Sequence, residues 1–193
     1  MLSLDGVVLA GGASRRMGQP KADLLWAPGL TLLDHATAVL RRATRGTIWI
    51  SREAGAPRLS AAILPDRYPN RGPLAGIETV FHHAASDLVL VLAVDLPLVP
   101  AEWYLTAYST WQAEPALDVV YAVSEFGRPQ PLVALWHRRT QPLLDARLQS
   151  PKPPRVMEVL ASLRRKSLPL GEDALTNVNT PEEWQRLAQR TRL

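Results

Sequence analysis

Asp5-Gly-Val-Val-Leu-Ala10, followed at once by Gly11 and Gly12, is the stretch on which the reading of this chain turns. A short β-branched apolar run halted by two glycines has the form of a buried parallel strand feeding a loop. The loop it enters, LAGGASRRMGQPK from Leu9 to Lys21, carries Arg15, Arg16 and Lys21. Glycines let backbone N–H groups close on an anion, and the basic side chains neutralise phosphate oxygens. A strand-to-helix turn with a basic surface would have the same composition.

Working outward, helix and strand signals alternate. Thr31 with Asp34 forms a capping box, and Leu32, Leu33, Ala36, Val39 and Leu40 keep a helical stripe. Gly46–Ser51 and Ser60–Leu64 are strand candidates. The loop DRYPNRGP from Asp66 to Pro73 then opens a helix from about Leu74 to Ala85. Leu88–Val94 (LVLVLAV) is the most apolar run, right for a central strand covered on both faces. It stops at Asp95, and Pro97 and Pro100 forbid its continuation.

Beyond it the pattern predicts a helix over 101–113, strands at 118–124 and 132–136, and helices at about 138–149 and 155–165. A last helix opens at Thr180-Pro181 with Glu183 completing a T-x-x-E box. This alternation predicts a single α/β domain over 1–193, three layers thick, with a mostly parallel sheet and helices on both faces. Ligands of such sheets bind beyond the carboxyl ends of the strands, which selects two places: Gly11 to Lys21, and Asp95.

The bulk composition narrows the chemistry. The 193 residues suffice for one full hydrophobic core. With no cysteine, disulfides, thiolate metal sites and a cysteine nucleophile are excluded. No apolar run approaches the roughly 20 residues needed to span a bilayer, and MLSLDGVVLAGG has no basic leader, so a cytoplasmic protein is expected. The net charge of +4 is uneven: residues 138–166 hold eight Lys and Arg against two acids, leaving fourteen basic and sixteen acidic residues elsewhere. Such clustering suits an anionic partner or a solvated face. Six scattered tryptophans show no RNA-stacking pattern, so no nucleic acid is expected.

Several familiar motifs fail. Gly18 stands six positions after Gly12 and precedes Gln19, which does not fit a Walker A loop. Ala13 interrupts the dinucleotide fingerprint. Ser14 lacks the G-x-S-x-G elbow. His82 and His83 are adjacent, diverge on a helix, and read as surface residues.

Taken whole, L-A-G-G-x-S-x-R-M-G-x-x-K resembles the signature of nucleotidyltransferases acting on sugar phosphates and pterins, and more narrowly of the molybdenum cofactor guanylyltransferase family. Four further segments resemble that family in order: GPLAGI at Gly72–Ile77, AVDLPLVP at Ala93–Pro100, RVMEVL at Arg155–Leu160 and NVNTPEE at Asn177–Glu183. The resemblance implies a Rossmann-like nucleotidyltransferase fold, its N-terminal part binding nucleotide and its C-terminal part the pterin. It implies GMP transfer from GTP to the terminal phosphate of molybdenum-loaded molybdopterin, with release of pyrophosphate. Molybdenum-insertion proteins and molybdoenzyme chaperones would be further partners, and no membrane is involved.

Carried residue by residue, the resemblance puts Mg²⁺ on Asp95 and phosphates on Lys21 and Arg15. Base recognition falls to the backbone of Leu9, Ala10, Gly11 and Gly12. Nucleoside contacts fall to Asp66, to Gly76 of GPLAGI, and to Ser51, which stands where many members have Asn. Asn177 and Asn179 face the pterin, although Asx turns ahead of a helix would suit them equally. Arg155 and Lys152 are candidates for phosphate or partner contact. LAGG and GPLAGI point to guanine, whereas Pro20 before the lysine is common among cytidylyl relatives. CMP transfer, a sugar-phosphate acceptor, or a non-catalytic GTP-binding or cofactor-carrier protein are the competing readings.

Overall fold

Val7, Val8 and Leu9 of the first strand, β1 (Asp5–Leu9), are apolar, and the whole strand is buried, as a strand enclosed on both faces must be. In a computed structural model, which describes residues 2–11, 20–52 and 62–191, β1 (Asp5–Leu9) is followed by a 3-10 turn (Lys21–Asp23), the short strands β2 (Leu25–Ala27) and β3 (Leu30–Thr31), and helix α1 (Leu32–Ala43). Strands β4 (Ile48–Ser51) and β5 (Ala62–Leu64), α2 (Pro73–Phe81), β6 (Leu88–Ala93) and α3 (Ala101–Ala113) come next. The chain continues through β7 (Val119–Ser124), β8 (Pro129–His137), α4 (Gln141–Gln149), α5 (Val156–Ala161), β9 (Arg165–Leu170) and α6 (Pro181–Thr191).

Seven strands form one sheet in the order β5-β4-β1-β6-β8-β7-β9, with β2 and β3 a separate antiparallel pair. Within the large sheet β8 runs against both β6 and β7, while every other pairing is parallel. Strand alternation divides the core. Val8, Leu90 and Leu92 pack with Leu33, Leu40 and Tyr104 of α1 and α3. Val7, Val89 and Val91 pack on the opposite face with Leu74, Ile77, Leu144 and Leu160 of α2, α4 and α5. The expected three layers and mostly parallel sheet are therefore present. Among the described residues no helix is long and apolar enough to cross a membrane.

The Thr31–Asp34 capping box is formed in both directions, with Asp34 N–H donating to Thr31 Oγ1 at 3.1 Å and Thr31 N–H to Asp34 Oδ2 at 3.0 Å. Three expectations need correction. The helix expected over 155–165 ends at Ala161, and Arg165 opens β9, an edge strand that the sequence conceals because it is largely exposed and carries Pro169. The segment 138–149 is a 3-10 turn (Arg138–Thr140) followed by α4. Helix α2 stops at Phe81, where Arg138 reaches over to the carbonyls of Phe81, Ala84 and Ser86 and terminates it.

That contact bears on the basic stretch. Arg139 donates to Pro115 O at 2.9 Å, Arg164 binds Asp118, Arg165 caps Leu160 and Ala161 carbonyls, and Lys166 pairs with Glu114. Most of its charge is spent inside the fold. Arg155, N-cap of α5, remains exposed beside Glu158 at 3.8 Å.

Candidate functional site

Parallel strands β1, β4 and β6 end together, and the residues just past those ends converge. Val94 N–H donates to Leu9 O at 3.1 Å, and Ala10 N–H to Ser51 O at 2.9 Å. Asp95 follows β6 on a half-buried turn rather than inside the sheet, where an isolated carboxylate would be expensive.

Lys21, at the start of the 3-10 turn, lies between the two halves of the chain. Its Nζ donates to Asn179 Oδ1 at 2.5 Å and lies 3.4 Å from Asp95 Oδ2. The C-terminal loop is fixed independently, because Val178 N–H donates to Asp95 O at 2.9 Å. Asn179 and Thr180 both donate backbone N–H to Glu183 Oε2, at 2.6 and 3.1 Å, and Glu183 N–H returns to Thr180 Oγ1 at 3.2 Å. The capping box of α6 therefore takes the backbone of Asn179 and leaves its amide side chain to Lys21. Asn177 is exposed two residues earlier.

A second group surrounds the end of β4. Ser51 Oγ donates to Asp66 Oδ1 at 2.7 Å. Burial pushes the Asp66 carboxyl above the ordinary carboxylate range, and the Ser51 hydroxyl draws it partly back. Gly76 of α2 sits so close that a Cβ there would stand 2.3 Å from Ser51 Oγ and 2.8 Å from Leu9 Cδ2. Only glycine permits α2 to lie on Ser51 and Leu9 in this way. Gly11, exposed, lies beside Ser51 O. The two groups are bridged: Arg52 Nη2 donates to Asp23 Oδ2 at 2.6 Å.

Of the residues expected at the site, the structure brings together Lys21, Asp95 and Asn179, and separately Leu9, Ala10, Gly11, Ser51, Asp66 and Gly76. Gly12 and Arg15 lie outside the described residues.

Sequence reasoning missed one polar cluster. Glu78 and His82, one helical turn apart on α2, meet Asp145 of α4 within 4.8 Å of one another. His82 Nε2 is 2.6 Å from Glu78 Oε1. The i, i+4 spacing of Glu78 and His82 is the sequence signal for this contact, and the adjacent His83 obscures it. Metal ligation suits these three residue types, yet the Arg67 guanidinium contacts Glu78 and His82 and lies 3.7 Å from Asp145 Oδ1. It already supplies the positive charge. Burial raises the Glu78 carboxyl and Arg67 draws it down. The cluster braces α2 against α4 on a face of the sheet, not at the strand ends.

Asp95 belongs to no group of three metal-ligating side chains among the described residues. A cation held there would take its remaining ligands from bound phosphates and water. That arrangement suits magnesium, which keeps several waters and one or two carboxylates beside substrate phosphates.

Comparison with known proteins shows the family and the fold. The MobA-like NTP transferase domain family matches residues 6–166. A protein of Carboxydothermus hydrogenoformans named "Probable molybdenum cofactor guanylyltransferase" is 31% identical, covering 97% of this chain and 96% of its own. A protein of the same name from Bacillus cereus is 32% identical over 93% of this chain and 92% of its own. Among solved structures, molybdopterin-guanine dinucleotide biosynthesis protein A of Archaeoglobus fulgidus superposes with a TM-score of 0.80 at 21% identity, covering 97% of this chain and 98% of that one. The 2-C-methyl-D-erythritol 4-phosphate cytidylyltransferase of Thermus thermophilus superposes at 0.71 with 16% identity over the full length of both. These two structures share the fold.

Proposed function

We propose, because this chain belongs to the MobA-like NTP transferase family, that it transfers GMP from GTP to the terminal phosphate of molybdenum-loaded molybdopterin. An acceptor phosphate oxygen attacks the α-phosphorus, the bond to the β-phosphate oxygen breaks, and pyrophosphate leaves. The observation that carries this reading is the position of Lys21, whose ammonium is shared by Asp95 and Asn179. A cation placed between the residue expected to face the metal and the residue expected to face the acceptor is where a triphosphate would need it.

The attacking group is a phosphate already ionised near neutral pH, so no general base is required. Catalysis then rests on positioning and charge neutralisation. Lys21, with Arg15, binds phosphate oxygens and holds them for in-line attack. Asp95 would hold Mg²⁺, which when bound neutralises charge on the triphosphate and on the departing pyrophosphate. The backbone of Leu9, Ala10, Gly11 and Gly12 is assigned to the base. Ser51, Asp66 and Gly76 shape the nucleoside end. Asn177 and Asn179 present amides that can satisfy the donor and acceptor edges of a pterin.

In this reading the N-terminal part of the domain holds nucleotide and the C-terminal part the pterin. The relatives' name favours guanine over cytosine. The enzyme would work in the cytoplasm and hand its product toward molybdenum-insertion proteins and molybdoenzyme chaperones.

The test is incubation of pure protein with magnesium, GTP and CTP together and molybdenum-loaded pterin, followed by mass analysis. A guanine dinucleotide is the expected product. A cytosine dinucleotide would overturn the base assignment, and no dinucleotide at all would overturn the acceptor.

A further inference from the structure

Arg52 and Asp23 belong to neither substrate contact, yet they join the two groups of site residues. Arg52 follows Ser51 at the end of β4 and is only 8% exposed. A guanidinium so enclosed needs an anionic partner. Among the described residues the acid within ion-pair reach is Asp23, at 2.6 Å. Asp23 closes the 3-10 turn that Lys21 opens.

That turn is weak by itself. It holds two backbone bonds, Asp23 N–H to Pro20 O and Leu24 N–H to Lys21 O, both 3.0 Å. Geometry of this kind is intrinsically poorer than that of an α-helix. Ala22 and Leu24 anchor it from below in the core. From above it is held by Asp23 on Arg52, whose own strand is fixed by parallel pairing with β1. One residue, Ala22, separates the pinned carboxylate from the ammonium that reaches Asp95 and Asn179.

We propose that the Arg52–Asp23 ion pair is a positioning device for Lys21: it fixes the single turn from which the lysine reaches the triphosphate. The inference rests on Lys21 as the phosphate ligand proposed above. Because Ser51 and Arg52 are consecutive, one strand end sets both the Asp66 contact at the nucleoside end and the lysine at the phosphate end. A shift of about 1 Å in such a group is enough to cost on the order of 100-fold in turnover.

The test is a double-variant cycle on binding of magnesium-GTP by calorimetry, without acceptor, so that it does not depend on turnover. Lys21→Ala and Asp23→Asn are each expected to weaken binding about tenfold, and the combined variant is expected to lose no more than about twofold beyond Lys21→Ala. Asp23→Glu, which keeps the charge, is expected to stay within about threefold of the native chain. A merely structural pair would lower the thermal midpoint and give losses that multiply in the combined variant; that result, or native affinity in Asp23→Asn, overturns the proposal. Native affinity in Lys21→Ala overturns instead the phosphate role of Lys21, and the positioning role with it. Should Asp23→Asn not fold, Arg52→Gln takes its place in the cycle with the same outcomes.

Discussion

Lys21 Nζ and Asn179 Oδ1 stand 2.5 Å apart although they lie 158 positions apart along the chain. The contact joins the first loop of the domain to the last. In the proposed reaction, a triphosphate that engaged the ammonium would free the amide oxygen for the second substrate. Lys21→Ala is therefore expected to lower kcat/KM for pyrophosphate release by at least about 100-fold. Asn179→Ala should raise KM for the acceptor with a smaller change in KM for GTP. Equal effects on both constants would contradict the assignment.

Asp95→Ala should abolish pyrophosphate release without unfolding the protein, since the carboxylate sits on a half-buried turn and the backbone carbonyl that holds Val178 is retained. Chelation of divalent cations should silence the native chain in the same assay, and added magnesium should restore it. Activity that survives chelation would remove the metal from the scheme.

Gly76→Ala places a methyl group against Ser51 and Leu9, with Ser51 Cβ at 2.7 Å. Overpacking of this order is expected to cost about 1–3 kcal/mol in urea unfolding. The displaced Ser51 should also raise KM for the nucleotide.

Asp66 gives a pH dependence with a definite sign. Its carboxyl is held above the ordinary range by burial and drawn back by Ser51. A carboxyl raised in the folded state adds stability that is complete below its unfolded value and lost as pH rises through the folded one. Asp66→Asn should then be at least as stable as the native chain at pH 7 while binding nucleotide less well. Ser51→Ala removes the bond that favours the charged form, so the acid limb of the kcat/KM profile should move to higher pH.

Asp118 has the opposite sign. Burial pushes it up, but the hydrogen bonds and charge of Arg164, with Arg139 nearby, outweigh burial and hold it below the ordinary range. Its contribution is present above the unfolded value and lost as pH falls. Asp118→Asn should lower the urea midpoint at pH 7, and the gap should close below about pH 4.

Where burial wrote the pattern, the sequence was readable. Leu88–Val94 could only be an inner strand, and Thr31 and Thr180 announced their helices. The strand Arg165–Leu170 was hidden because an exposed edge needs no apolar alternation, and its Arg, Lys and Pro suppress every strand signal. The same division holds at the site. Lys21, Asp95 and Gly76, proposed for the site, stand out by motif and strand ends. The Arg52–Asp23 and Arg67–Glu78 pairs could not, because a pair across 29 or 11 residues leaves no periodic trace.

Strand β1, first to be made, sits between two partners that are made later, β4 and β6. On the ribosome it gains one neighbour near residue 51 and the other only near residue 93, so an enclosed apolar ribbon must wait for its cover. A fragment that stops short of Asn179 therefore lacks the contact that closes the last loop over the lysine.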